Sequence, residues 1–355
     1  MSFSVLAQSG RKASPSPTPK IKTEEPATFS ESKPGTKRPP RVFPANLRSS
    51  NTVENAKSAD AATDENTIKV NTNLITIPVS VFDRNGLYIP NLRQDEFKIF
   101  EDGVEQQIAY FSASEKPITV ALLLDTSYST EYKIDEIRTA AKAFVDQLKI
   151  QDRVMVVEFR QKVKVRTELT TNRVEIYKGI DKADFGSGTS IYEAVDETLR
   201  EHLSKVEGRK AIVIFTDGVD TTSKKATFDS TLDYAEESDS LIFPIYYNTF
   251  GYGVQSPSIF GPAPGTTAAE YAVGKKYVDE LAEYTGGRVF LPETTPGGLT
   301  RAFEGIAEEL RRQYNIGYIP TDDGRPGQRK QIKIRVGRPN LLIRSRDSYI
   351  VGTSK

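Results

Sequence analysis

The spacing of apolar positions changes character along the chain, and each change predicts a different kind of structure. Over residues 1–66 there is almost no periodic apolar pattern, and eight prolines stand among Ser, Thr, Lys and Glu. Such a stretch buries too little apolar surface to offset its ordering entropy, so a disordered tail is predicted there. From Ile68 the pattern alternates: Ile68, Val70 and Thr72, then residues 74–81, 97–100 and 104–111, with turn signals at Asp83, Asn85 and Gly86 and again at Asp102 and Gly103. This is the pattern of short antiparallel strands. It returns at 314–319, 332–336 and 341–344, around a Gly/Pro/Asp-rich loop at 321–328. We therefore expect one small β domain in two parts, 67–115 and 313–352, with the middle of the chain inserted between them.

That middle, residues 117–312, alternates two periods. Residues 120–124, 154–159, 163–169, 211–215, 241–247 and 289–291 are short apolar runs that predict strands. Between them, residues 135–148, 172–182, 191–203, 227–237, 269–284 and 298–313 carry apolar side chains at helical spacing, as at Ile137, Ala140, Ala141, Phe144, Val145 and Leu148. Alternation of this kind predicts an α/β domain, a doubly wound and mostly parallel sheet with helices on both faces. The Gly/Pro-rich stretch 250–267 reads as an insertion loop.

Composition narrows the chemistry. With 355 residues, two or three domains are expected, and no apolar run approaches the roughly 20 residues that span a bilayer. Lys plus Arg equals Asp plus Glu at 48 each, so there is no global basic field for nucleic acid, although residues 1–50 hold nine basic and three acidic side chains. The chain has no cysteine and one histidine, which excludes thiol nucleophiles, zinc ribbons, iron–sulfur clusters and His-rich metal sites. His202 reads as a solvated surface side chain on a helix. Any metal must be held by oxygen donors, which selects a hard cation such as Mg2+, Mn2+ or Ca2+. Residues 2–8 resemble the end of a secretory apolar run, and with the proline-rich stretch after them they point to a secreted, periplasmic or envelope protein.

Three loops carry the candidate site. Asp125, Ser127 and Ser129 follow the first buried strand, spaced Asp-x-Ser-x-Ser, so that one carboxylate and two hydroxyls converge. Thr216, Asp217 and Gly218 follow the strand at 211–215, and Gly186, Ser187 and Gly188 precede Thr189 at the start of a helix. Open α/β sheets bind ligands beyond the carboxyl ends of their strands, where both aspartates are predicted to sit. Two carboxylates and three hydroxyls suit a small octahedral cation that keeps some water.

These positions, in this order, resemble the metal-ion-dependent adhesion site of von Willebrand factor type A domains. The wider arrangement is similar to the bacterial VWFA-related group common in acidobacteria. The resemblance implies that Ser127 and Ser129 bind the metal directly, that Asp125 and Asp217 hold it largely through water, and that Thr189 does either according to state. A protein partner's Asp or Glu would complete the coordination, with Tyr128, Ser190 and Gly218 on the contact rim. The chain differs from the commonest pattern in having Gly186, Ser187 and Gly188 where two glycines usually stand. The resemblance also implies that ligand binding can shift the last helix, residues 300–313. On this reading the protein is a binding module and not an enzyme. A phosphotransferase with an aspartate nucleophile would need Asp at position 127, and Gly274, Lys275 and Lys276 lack the flanking residues of a phosphate loop. The other reading is a metal-independent scaffold acting through the β domain and basic tail.

Overall fold

In the computed structural model the described residues are 28–33, 74–113, 116–127, 134–248 and 267–351. The expected strand at 68–72, Tyr128, Ser129, nearly all of the 250–267 loop and most of the tail lie outside them.

The central sheet has five strands in the order β10-β9-β6-β7-β8: β6 (Ile118–Asp125), β7 (Arg153–Phe159), β8 (Val163–Thr170), β9 (Arg209–Thr216) and β10 (Ser240–Tyr246). All pairings are parallel except β7 with β8, so the doubly wound, mostly parallel sheet is present. Every residue of β6 is buried, as a central strand covered on both faces requires. Side chains alternate along it into two cores. Val120, Leu122 and Leu124 face α1 (Ile134–Gln147), α2 (Arg173–Asp181) and α6 (Gly298–Arg311). Ala121 and Leu123 face α3 (Ile191–Glu197), α4 (Phe228–Glu237) and α5 (Ala268–Thr285). α6 buries Leu299, Phe303, Ile306 and Leu310 along one stripe, each contributing roughly 1.5–3 kcal/mol. The segment expected as a strand at 289–291 contributes only a bridge, Phe290 beside Ile245.

Local chemistry fixes the helix starts. Asn172, Thr227 and Thr267 each accept backbone N–H groups of the first turn of α2, α4 and α5. The helix expected over 191–203 is α3 followed by a widened turn and a tight last turn, Thr198–His202 and Leu203–Lys205. His202 on it is half-buried, not solvated, with Nδ1 4.0 Å from Glu168.

The remaining strands form two antiparallel sheets. One has the order β13-β2-β11-β5, with β2 (Ile75–Phe82), β5 (Ile108–Ser112), β11 (Tyr314–Tyr318) and β13 (Leu342–Arg344). The other has the order β1-β12-β3-β4, with β1 (Ser30–Glu31), β3 (Phe97–Glu101), β4 (Val104–Gln106) and β12 (Arg329–Val336), and β14 (Ser348–Ile350) also pairs with β12. Residues before and after the α/β region thus share both sheets and one core, in which Ile77, Val79 and Ile99 meet Tyr314, Ile316 and Ile334. Asp102 and Gly103 both have positive φ, the conformation a tight hairpin between β3 and β4 needs. Within the stretch read as a tail, Ser30–Glu31 form a strand on β12.

Candidate metal centre

β6 and β9 are neighbours, with Leu124 opposite Phe215, so Asp125 and Asp217 leave adjacent strands at the same end of the sheet. Both are buried, at 0% and 2% exposure. One oxygen of Asp125 accepts the Ser127 N–H at 3.0 Å and the other accepts the Thr216 hydroxyl at 2.8 Å. Thr216 Oγ1 also accepts the Gly218 N–H at 2.9 Å, and Asp217 Oδ1 accepts the Val219 N–H at 3.1 Å. Burial first, and the charge of Asp217 second, push the Asp125 carboxyl up to about 7.

The loops are tied to one another. Ser127 bridges Gly186, whose N–H donates to Thr126 O at 3.0 Å. Thr189 N donates to Thr221 Oγ1 at 2.8 Å, while Thr221 N and Thr222 N donate to Thr189 O at 2.8 and 3.1 Å. Asp220 accepts from Tyr192 N and from Ser223, which holds the 217–223 loop against the start of α3. These bonds hold the loops that carry Asp125, Ser127, Thr189 and Asp217 against one another.

Two glycines are demanded by geometry. Gly218 has φ +80°, and a Cβ there would lie 2.4 Å from the carbonyl oxygen of Gly274 on α5, so the site loop rests backbone to backbone on that helix. Gly188 has φ +74°, and its Cβ would meet Thr222 at 2.7 Å. The departure of Gly186, Ser187 and Gly188 from a plain glycine pair is accommodated, since Ser187 is exposed and its carbonyl accepts the Gln161 N–H at 3.0 Å.

Two residues expected on a contact rim are not there. Ser190 is fully buried, its hydroxyl 3.1 Å from Gln161 O and 2.8 Å from Thr222 Oγ1. Gly218 is buried against Gly274. Thr221 and Thr222 join Thr216 as positioning residues, and the sequence signal for them is a pair of hydroxyls four and five positions after Asp217. Among the described residues no three His, Cys, Asp or Glu side chains converge as a metal cluster, so a cation here must use hydroxyls beside the two carboxylates. That donor set, all hard oxygen, fits a small divalent cation, which would offset the repulsion between Asp125 and Asp217.

An open, mostly parallel sheet with helices on both faces and oxygen donors at the carboxyl ends of adjacent strands defines an α/β domain of the doubly wound class. Residues 119–258 match the family model of the von Willebrand factor type A domain, and the chain contains a domain of that family. Among solved structures, a type A protein from Catenulispora acidiphila is 13% identical, with 81% of this chain and 74% of that chain covered and a TM-score of 0.45. The conserved hypothetical protein BatB from Bacteroides thetaiotaomicron is 15% identical, covering 54% and 98%, with a TM-score of 0.41. Proximal thread matrix protein 1 from the mussel byssus, solved with a zinc-occupied adhesion motif, is 16% identical, covering 58% and 48%, with a TM-score of 0.43. A comparison with curated proteins gives no match. No helix among the described residues is long and apolar enough to cross a membrane.

Proposed function

We propose that the chain is a divalent-cation-dependent protein-binding module: a type A domain, residues 117–312, inserted in a β domain split between 67–115 and 313–352. Asp125, Ser127, Thr189 and Asp217, with Ser129 two positions further in the sequence, would hold the cation. Bound there, Mg2+, Mn2+ or Ca2+ supplies an electrophilic position that an Asp or Glu of a protein partner completes. The observation that carries this reading is the stitching of three loops around two buried carboxylates on adjacent strands. Thr216 orients Asp125, and the Thr221 and Thr222 amides fix Thr189. The role is binding rather than catalysis, and the place of action we assign is the envelope or the exterior, on the secretory-like residues 2–8.

Thermal unfolding in Mg2+, Mn2+, Ca2+ and Zn2+ tests the site. A cation bound only by the folded chain stabilises it by about 2.7 kcal/mol at a hundred times its dissociation constant. The expected result is a raised midpoint for at least one ion that is lost in Asp125→Ala and in Asp217→Ala. No rise with any ion at millimolar concentration overturns the reading. It would favour the second one, a metal-independent scaffold acting through the β domain and tail, which draws on the docking of residues 28–33.

A further inference from the structure

Residues 28–33 lie against the β sheet although 40 residues, 34–73, separate them from the next described residue, Leu74. Ser30 pairs with Val336 and Glu31 with Arg335, antiparallel, along the part of β12 that β14 leaves uncovered. Beyond that ladder Ser32 N donates to Ile334 O at 2.8 Å, and side chains add further bonds. Ser30 Oγ donates to Arg338 O at 2.7 Å and accepts the Leu341 N–H at 2.8 Å. Ser32 Oγ accepts the Ile334 N–H at 3.0 Å. Glu31 accepts from Arg335 at 3.0 and 2.6 Å and from Lys333 at 3.1 Å. The Arg335 guanidinium carbon lies 4.0 Å from the ring centre of Phe29 and 4.9 Å from that of Phe100. Each of four consecutive residues is therefore read: the aromatic ring by a cation, the two serines by backbone groups, and the acid by a two-cation clamp.

Short strands added to a sheet edge gain affinity from main-chain bonds and selectivity from side-chain contacts. Here a two-residue ladder supplies the main-chain bonds and side chains supply the selectivity, all within six residues. The intervening 40 residues reach on the order of 130 Å when extended, so the covalent link does not dictate whose sheet the segment meets. We propose that the edge of β12 beyond β14 is a peptide-recognition site for an aromatic–Ser–acid–Ser strand, filled in one chain by its own Phe29, Ser30, Glu31 and Ser32 and able to accept the same segment from a second copy. The partner class is thus another molecule of this protein, joined by exchange of the segment. This site lies on the β sheet and is independent of the cation reading.

Full-length variants test both parts. Glu31→Arg places like charges against Lys333 and Arg335, Arg335→Glu sets two carboxylates together, and the double variant restores an opposite pair. Hydrogen exchange at the amides of Ser32, Ile334 and Leu341 reports docking. We expect it to speed up by about tenfold or more in each single variant and to return close to native in the double. Unchanged exchange in the single variants would overturn the assigned recognition, as would failure of the double variant to restore it. Mixing the two single variants pairs each segment with a complementary site only across molecules. Light scattering should show a heterodimer absent from either variant alone. A mixture that stays monomeric while the double variant recovers would overturn exchange between copies.

Discussion

Two costs fall on the Asp125 carboxylate: it is fully buried, and it faces the charge of Asp217. If the site exists for a cation, both costs belong to the metal-free state and are relieved by binding. Asp125→Asn keeps the shape and can still accept from Thr216, while removing the repulsion. We expect it to raise metal-free stability, in the presence of a chelator, by on the order of 2 kcal/mol, and to abolish the metal-induced rise. A calorimetric comparison with native protein checks both signs at once, and a variant less stable without metal would contradict the electrostatic account. The pair Gly218 and Gly274 gives a second expectation. Gly274→Ala drives a methyl to within 2.6 Å of Gly218's carbonyl carbon, so α5 must move off the site loop. It should cost about 1–3 kcal/mol and weaken metal binding, measured by titration calorimetry, although residue 274 offers no ligand. The placing of Asp125 and Asp217 at the same end of neighbouring strands was legible, because an acid that closes a buried apolar run is a local signal. Gly274 was not, since its importance arises only where α5 crosses a loop more than fifty positions away.

Elements long enough to show a period were legible, and those that borrow their structure from a partner were not. α1, α4, α5 and α6 announce themselves by apolar spacing, and α2, α4 and α5 begin one residue after their capping side chains. β14 and β1, three and two residues long, have no period to read and exist because β12 offers them an edge. The docking of β1 should depend on pH. Hydrogen bonds from Arg335 hold the Glu31 carboxyl below its ordinary value, with Lys333 adding to the effect. Of the other charged groups nearby, Arg338 is engaged by Glu96 and Arg344 by Glu309. A depressed pKa means that the stabilisation is complete above the ordinary carboxylate value of 4.5 and is lost as pH falls through the lowered one. Exchange at Ile334 and Leu341 should therefore be slow at neutral pH, after correction for intrinsic rates, and lose protection only on strong acidification. Loss of protection at a pH well above the ordinary carboxylate range would show that Glu31 is not the titrating group.

At the scale of the whole molecule, arginines near the carboxyl end fasten the antiparallel sheets to the helices of the α/β domain. Glu236, on α4 and 1% exposed, accepts Arg329 of β12 at 2.7 Å through both oxygens and Ser348 Oγ of β14 at 2.7 Å. Arg346 donates to the backbone carbonyls of Glu236 and Ser238. Glu309, on α6 and 3% exposed, accepts Arg344 of β13 and Arg288. α6 runs directly into β11, so the last helix is joined to the antiparallel sheets both covalently and by an ion pair. Any displacement of α6 when a partner binds would have to carry β11 with it or break the Glu309 contacts, which gives the sheets a mechanical route to the site. The strength of the fastening is measurable. Glu236→Ala leaves the half-buried Arg329 and the buried Ser348 without their carboxylate, a loss expected to cost about 1.5–3 kcal/mol, whereas Glu236→Gln keeps one acceptor and should cost less. Because the ties cross between the two sets of sheets, weakening them should also reduce cooperativity: denaturant unfolding followed by backbone and by tyrosine signals should coincide in the native chain and separate in Glu236→Ala. Coincident transitions in the variant would mean that the shared apolar contacts, not these ion pairs, hold the molecule as one unit.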